Sequence, residues 1–255
     1  MAVFNYSDED INKLIEDIYG GTVDRRNLPE SLYYAIADHL KAGLYKGFGS
    51  ELSELPEDSA DLELLQELRS NVYMFSGAKT YQQTREMTDL LTDGDKVRSF
   101  AEFKTEALKV YDQYNVDWLK SEYNTAIAQG DMAVKWLSIQ GQKEILPNLR
   151  YSTTEAACPI CSPLDNICLP VDDPFWDEYY PPNHFNCMCV AEQEGPDVDL
   201  TPDDEVDSIT EEVGNEINKS FLMNSGKEGY VFNENSPYFT HIPKEDKGFA
   251  EDNFG

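Results

Sequence analysis

All five cysteines of this 255-residue chain, Cys158, Cys161, Cys168, Cys187 and Cys189, fall inside one short window that also holds His184. The same window carries Pro159, Pro163, Pro170, Pro174, Pro181 and Pro182, so long helices are excluded there and little backbone hydrogen bonding is left to organise it. Such a segment needs a cross-link. The spacing supplies one: Cys158-x2-Cys161, a gap of 22 residues, then His184-x2-Cys187-x-Cys189. A C-x2-C turn sets two thiolates at adjacent corners of a tetrahedron, and a distant H-x2-C sets the other two, the ligand pattern of a structural Zn²⁺. Metal affinity then becomes folding energy. In an extended C-x-C the side chains alternate faces, so four of the five donors form the expected set. The H-x2-C spacing favours Cys187 over Cys189 as the fourth ligand.

Two other uses of these residues are weaker. "CPIC" has the look of a thioredoxin-type redox pair, but that chemistry needs a helix opening at the second cysteine to lower the thiol pKa. Here Cys161 runs into "SPLDNICLPVDDP". A cysteine nucleophile with His184 as base lacks an orienting acid. Cys168 is read as a small buried hydrophobe.

The chain before Pro147 reads as helix. Ser7 with Asp10 is a capping-box pattern, followed by Ile11, Leu14, Ile15 and Ile18 on one helical face and by Gly20-Gly21 as a stop. Pro29 opens a second helix with Leu32, Ile36, Leu40 and Leu44 four apart, and a third begins near Ser59. From Asp95 a stripe through Val97, Phe100, Phe103, Ala107, Val110 and Tyr114 leads to "YNVD", read as a turn. A second stripe, Leu119 to Leu137, then runs to about Gly141. Two such stripes joined by a short connection predict an antiparallel helical hairpin over 95–141. Gly130 in mid-pattern costs about 1 kcal/mol against Ala and is read as tolerated rather than as a close backbone approach. Trp118, Trp136 and Trp176 are read as core anchors, and His39 as a solvated or helix-packing side chain.

The fold class is therefore α+β. A helical region, 1–145, precedes a small zinc-clipped α/β module, 146–190, that opens on the strand "LRYST". Residues 191–218 carry eleven acidic side chains and no basic one and read as a solvated linker, with Ile209, Val213 and Ile217 able to form a weak amphipathic helix. "KSFLMN" and "GYVFN" around "SGKEG" predict a hairpin in the last segment, 219–255.

Charge excludes several functions. With 49 acidic and 20 basic side chains the net charge is −29, which repels both phosphate backbones and anionic membranes. No apolar run approaches the ~20 residues of a membrane helix, and the opening residues lack a signal-peptide pattern, so a reducing cytoplasm is the expected folding compartment. No Gly-rich phosphate loop, HExxH or GxSxG occurs.

Between residues 119 and 190 the chain resembles a known family. "WLKSEYNTAIAQGDMAVKW", "PNLRYSTTEAACPICSPLDN" and "LPVDDPFWDEYYPPNHFNCMC" are similar, in order, to the signature of the phage head-morphogenesis family, the minor head proteins of the phage Mu F type. The family's terminal C-R-C is C-M-C here, with Met188 at the arginine. The resemblance implies a structural virion protein, not an enzyme. It would be assembled in the host cytoplasm and carried in few copies at the portal vertex and capsid interior. Its partners would be the portal protein and the major capsid or scaffold protein, with neither direct DNA binding nor a membrane. Relatives of this domain occur fused to ADP-ribosyltransferases, and Arg150, Ser152-Thr153 and Glu192-x-Glu194 superficially mimic that active site. Arg150 and Ser152 are expected on one strand, whereas that enzyme needs them on two.

Overall fold

The computed structural model describes residues 4–153 and 158–248; residues 249–255, the end of the segment read as a hairpin, lie outside it. The chain divides into two compact units that are not sequential in the chain. Unit 1 takes Met1–Ala42, Val72–Tyr123 and Ser236–Gly255, and unit 2 takes Gly43–Asn71 and Asn124–Asn235.

Helix α1 (Asp8–Tyr19) starts where its capping box predicts, Ser7 and Asp10 bonding reciprocally to each other's backbone N–H groups, and it buries Leu14, Ile15 and Ile18. Helix α2 (Glu30–Phe48) buries Leu32, Ile36, Leu40 and Leu44 completely. Helix α3 (Ala60–Asp89) follows Ser59, whose Oγ accepts from the Leu62 N–H. Next comes a hairpin of β1 (Thr92–Asp93) and β2 (Lys96–Val97) around Gly94 at φ +59°. The helix expected from Asp95 therefore begins later, as α4 (Phe100–Asp112), with Ser99 and Glu102 closing a second capping box. The two residues between the strands, Gly94-Asp95, are a recognised hairpin-loop signal, and they override the helical stripe at Val97.

The expected turn at "YNVD" is a second correction. Residues Gln113–Trp118 are π-helical, and α4 runs through them into α5 (Leu119–Gln142) with helical backbone at both junctions. No antiparallel hairpin forms over 95–141. The apolar stripe skips from Tyr114 to Leu119, a step of five that the wider π turn accommodates, while the segment holds neither Gly nor Pro to break the helix. In unit 2, α5 buries Met132, Ala133, Trp136 and Ile139, and Leu137 is only half-buried. Gly130 is also more than tolerated: a Cβ there would lie 2.7 Å from the Leu44 carbonyl oxygen, and one on Gly47 1.9 Å from that of Ile127. Helices α2 and α5 meet there backbone to backbone.

Unit 2 is built on a three-stranded antiparallel sheet ordered β4-β3-β5, from β3 (Asn148–Ser152), β4 (Cys168–Pro170) and β5 (Val190–Glu194). Leu149 faces Leu169, and Tyr151 faces Ala191. Arg150 and Ser152 do share one strand, and Arg150 spends its Nε on Glu194 at 2.6 Å. A short helix, α6 (Phe175–Glu178), brings Trp176 into the core, where it is fully buried with Tyr151, Tyr180 and Leu149. The segment read as an acidic linker is structured at both ends: β5 completes the sheet, and α7 (Asp203–Val213) and the turn after it send Val213 and Ile217 into the same core.

The hairpin expected after residue 219 does not form among the described residues. "SGKE" is a helical turn, α8 (Ser225–Glu228), because the Asn224 side chain accepts from the Gly226 and Lys227 N–H groups. The strand-prone "YVFN" finds its partner elsewhere. Asn71 of α3 accepts from the N–H groups of Val231 and Phe232 at 2.9 and 2.8 Å and donates to the Phe232 carbonyl. One buried amide thus does the work of a neighbouring strand.

Unit 1 holds His39 buried against Tyr123, ring centroids 4.6 Å apart. It also takes the C-terminal helix α9 (Pro237–Thr240). Fully buried Lys79 of α3 pairs with Glu122 of α5 at 2.8 Å and donates to the Tyr114 carbonyl and the Tyr238 hydroxyl.

Candidate metal centre

Two tight turns deliver the five predicted donors. In the first, Ser162 N–H bonds to the Cys158 carbonyl at 3.0 Å, and the N–H groups of Cys161 and Ile160 point at the Cys158 sulfur. In the second, Cys187 N–H bonds to the His184 carbonyl at 3.2 Å, with Asn186 at φ +60°, a conformation Asn tolerates better than most side chains. The Cys189 N–H then points at the Cys187 sulfur. Backbone N–H groups aimed at sulfur stabilise thiolate over thiol. Both turns are needed because the surrounding loop has so little regular structure of its own.

The sequence-predicted residues come together as two overlapping triads, Cys158–Cys161–His184 and Cys161–Cys187–Cys189, with donor atoms within 4.8 Å of one another in each. Cys161 Sγ and Cys187 Sγ are 3.8 Å apart, and Cys158 Sγ lies 2.9 Å from His184 Nε2. All four cysteines of the cluster are free thiols, as is Cys168, which is buried in β4 outside it.

Zinc fits this donor set on three counts. With Zn–S bonds near 2.3 Å, a tetrahedral ion separates its sulfurs by about 3.8 Å, the separation of Cys161 and Cys187. His184 Nδ1 lies 2.8 Å from the Phe185 carbonyl; bonding there fixes the tautomer and leaves Nε2 facing the thiols, the usual outer-shell arrangement of a ligating histidine. The cluster also sits in the core, with Cys161, Cys187 and Cys189 buried. The Cys158–His184 separation is instead that of a hydrogen bond, shorter than the roughly 3.6 Å edge of a zinc tetrahedron.

Electrostatics separate the five. The Cys187 thiol is pulled well down, by hydrogen bonding from Cys161 first, then Cys189 and His184, against burial. Cys158 also goes down: burial opposes this, but the Cys161 N–H, the His184 charge and the Ile160 N–H outweigh it. His184 is pushed up to about 9, chiefly by its hydrogen bond to Cys187. Cys161, donating into Cys187, is pushed up. Cys189 rises to about 11: hydrogen bonding with Cys161 draws it down, and Cys187 and burial outweigh that.

Two supporting residues gave no sequence signal. Tyr151, buried at the middle of β3, donates to Asn183 Oδ1 at 2.7 Å, and Asn183 is fully buried beside the second turn. A tyrosine in a strand and an asparagine after two prolines look like ordinary packing and turn residues until the sheet sets them side by side.

Residues 74–192 match the family described as Phage Mu protein F like protein, a span that contains all five donors, the π-helical segment and the whole sheet up to Glu192. No curated protein and no solved structure matches the chain. Residues 74–192, with the Cys/His cluster at the C-terminal end of that span, are therefore similar to the Phage Mu protein F-like family.

Proposed function

We propose that this protein is a minor head protein of a phage virion, held at the portal vertex and capsid interior and acting in procapsid assembly or in DNA packaging and ejection. The observation that carries the reading is the family match over 74–192, a family of phage head morphogenesis. Three further features support it. The site holds a sulfur–imidazole cluster suited to cross-linking a loop. The charge of −29 favours attachment through protein partners, the portal protein first and the major capsid or scaffold protein second, rather than through DNA. Among the described residues, no helix is long and apolar enough to cross a membrane.

In this reading one structural Zn²⁺ is held by Cys158, Cys161, His184 and Cys187. The ion would supply a rigid cross-link between the two turns. Cys187 is preferred to Cys189 because its sulfur receives a backbone N–H and contacts both Cys161 and His184. Asymmetric reconstruction of the intact particle tests the placement: density for a few copies is expected at the portal vertex. Hundreds of copies on the outer shell, or absence from the particle, would overturn it.

A further inference from the structure

Within unit 1, α3, the π-helical segment and α9 enclose a pocket of about 310 Å³. Its walls are aromatic and acidic. Trp118 is 40% exposed, contrary to the core role its sequence suggested, and its ring stands 4.9 Å from that of Tyr114, which in turn lies 6.0 Å from Tyr238. Tyr114 and Trp118, four apart in the π-helical segment, share this wall; π-helical turns are frequent at functional sites. Glu86 and Asp89, one turn apart on α3, are exposed at the rim. Glu86 Oε2 accepts from the Tyr114 hydroxyl at 3.0 Å.

The same rings already hold a cation from below. Lys79 Nζ lies 5.3 Å from the Tyr114 ring centre and 5.0 Å from that of Tyr238, and Glu122 neutralises it. The basic side chain on the pocket wall, Arg85, is engaged at its end, its Nη1 donating to the His241 carbonyl at 2.9 Å. The wall thus sets aromatic faces beside two exposed carboxylates, neither of them ion-paired among the described residues. A guanidinium suits this better than an ammonium, since it stacks flat on an indole while its edge pairs with a carboxylate. The volume lies at the small end of the range for ligand pockets and has room for one guanidinium-bearing side chain.

We propose that this pocket is a docking site for an arginine side chain on a partner protein, gripped between Trp118 and the Glu86–Asp89 rim. The proposal stands on unit 1 alone and does not depend on the head-protein reading. Its occupant follows from charge complementarity, because a chain of net −29 recruits basic segments and this is where a cation finds aromatic walls.

The test is a titration of the full chain with acetyl-arginine amide, followed by the Trp118 indole N–H resonance assigned through Trp118→Phe. The expected result is a saturable shift at Trp118, weaker with acetyl-lysine amide and absent with acetyl-glutamine amide. Glu86→Gln with Asp89→Asn should weaken it by about ten-fold or more, as loss of charge-assisted hydrogen bonds does. The charge-matched pair Asp203→Asn with Asp204→Asn, on α7, should leave it unchanged. Shifts scattered over the acidic surface without saturation at Trp118, or an equal loss in both double variants, would overturn the assignment.

Discussion

The two units pin distant stretches of chain with opposite chemistries. Unit 1 uses charge: Lys79 joins the middle of α3 to Glu122 at the start of α5 and to Tyr238 near the C-terminus, and Asp246 joins Arg25, Arg26 and Tyr81. Unit 2 uses sulfur and imidazole, gathered from two turns more than twenty residues apart. A buried ion pair fixes which groups meet, but its desolvation consumes most of its attraction. A thiolate–imidazole set has no such self-cancellation once a metal joins it, though it depends on redox state and metal supply. The units should therefore fail under different insults, and that difference can be tested.

The largest effect belongs to the cluster. Chelation of zinc, or Cys161→Ser, removes a donor shared by both triads. A loss on the order of 5 kcal/mol or more is expected in unit 2, given that structural zinc is worth about 10–16 kcal/mol in small peptides. Hydrogen exchange should show protection lost in β3, β4 and β5, while α1 and the first half of α2 keep theirs. Cys189→Ser should be much milder. Near-stoichiometric zinc in protein purified without added metal is the companion measurement; its absence, with Cys158 joined to Cys161, would reverse the comparison and restore the redox reading.

The buried pair should come next. Lys79→Met strands Glu122 inside the protein, and breaking such a pair from one side costs about 3–5 kcal/mol. Changing Glu122→Leu as well should restore much of the loss, since an apolar replacement of both partners is often neutral. Urea unfolding of the two variants gives the answer. A double variant no better than the single would mean that the Tyr114 carbonyl and Tyr238 hydroxyl, rather than the ion pair, need Lys79.

The two sites were unequally legible in the sequence. The cluster could be read because its members are rare residue types at fixed spacings, and spacing survives in one dimension. The Lys79 network could not: Lys79 and Glu122 are common charges on helices, and only the packing of three segments makes them buried. The same limit explains the hairpin mistakes. Local apolar stripes located α1 and α2, but the slip of five at Tyr114–Leu119 looks identical whether a turn or a π segment absorbs it. The strand-prone "YVFN" gave no sign that Asn71, far away in sequence, would satisfy its backbone. Gly47 and Gly130 likewise declare themselves only when two helices touch.

The smallest expected effect concerns Asp246, and its sign distinguishes the charge-pinned unit from the sulfur-pinned one. The carboxyl is fully buried and held below its ordinary value by the Tyr81 hydroxyl first, against burial, with Arg26 and Arg25 assisting. A carboxylate whose folded pKa is depressed contributes stability that is complete above its unfolded value, near 3.9, and is lost as pH falls through the lower folded value. Tyr81 is pushed up to about 12, by burial first and then by Asp246, so its contribution is complete below its usual value near 10 and fades as pH rises towards 12. Asp246→Asn should therefore cost about 1–3 kcal/mol at neutral pH, as a hydrogen bond to a charged group does. Arg25 and Arg26 are too exposed to add much. The deficit relative to the natural chain should shrink below pH 4 and again above pH 10. Urea midpoints for the two proteins at pH 3, 7 and 11 measure it, and a deficit constant across that range would mean that Asp246 acts through shape rather than charge.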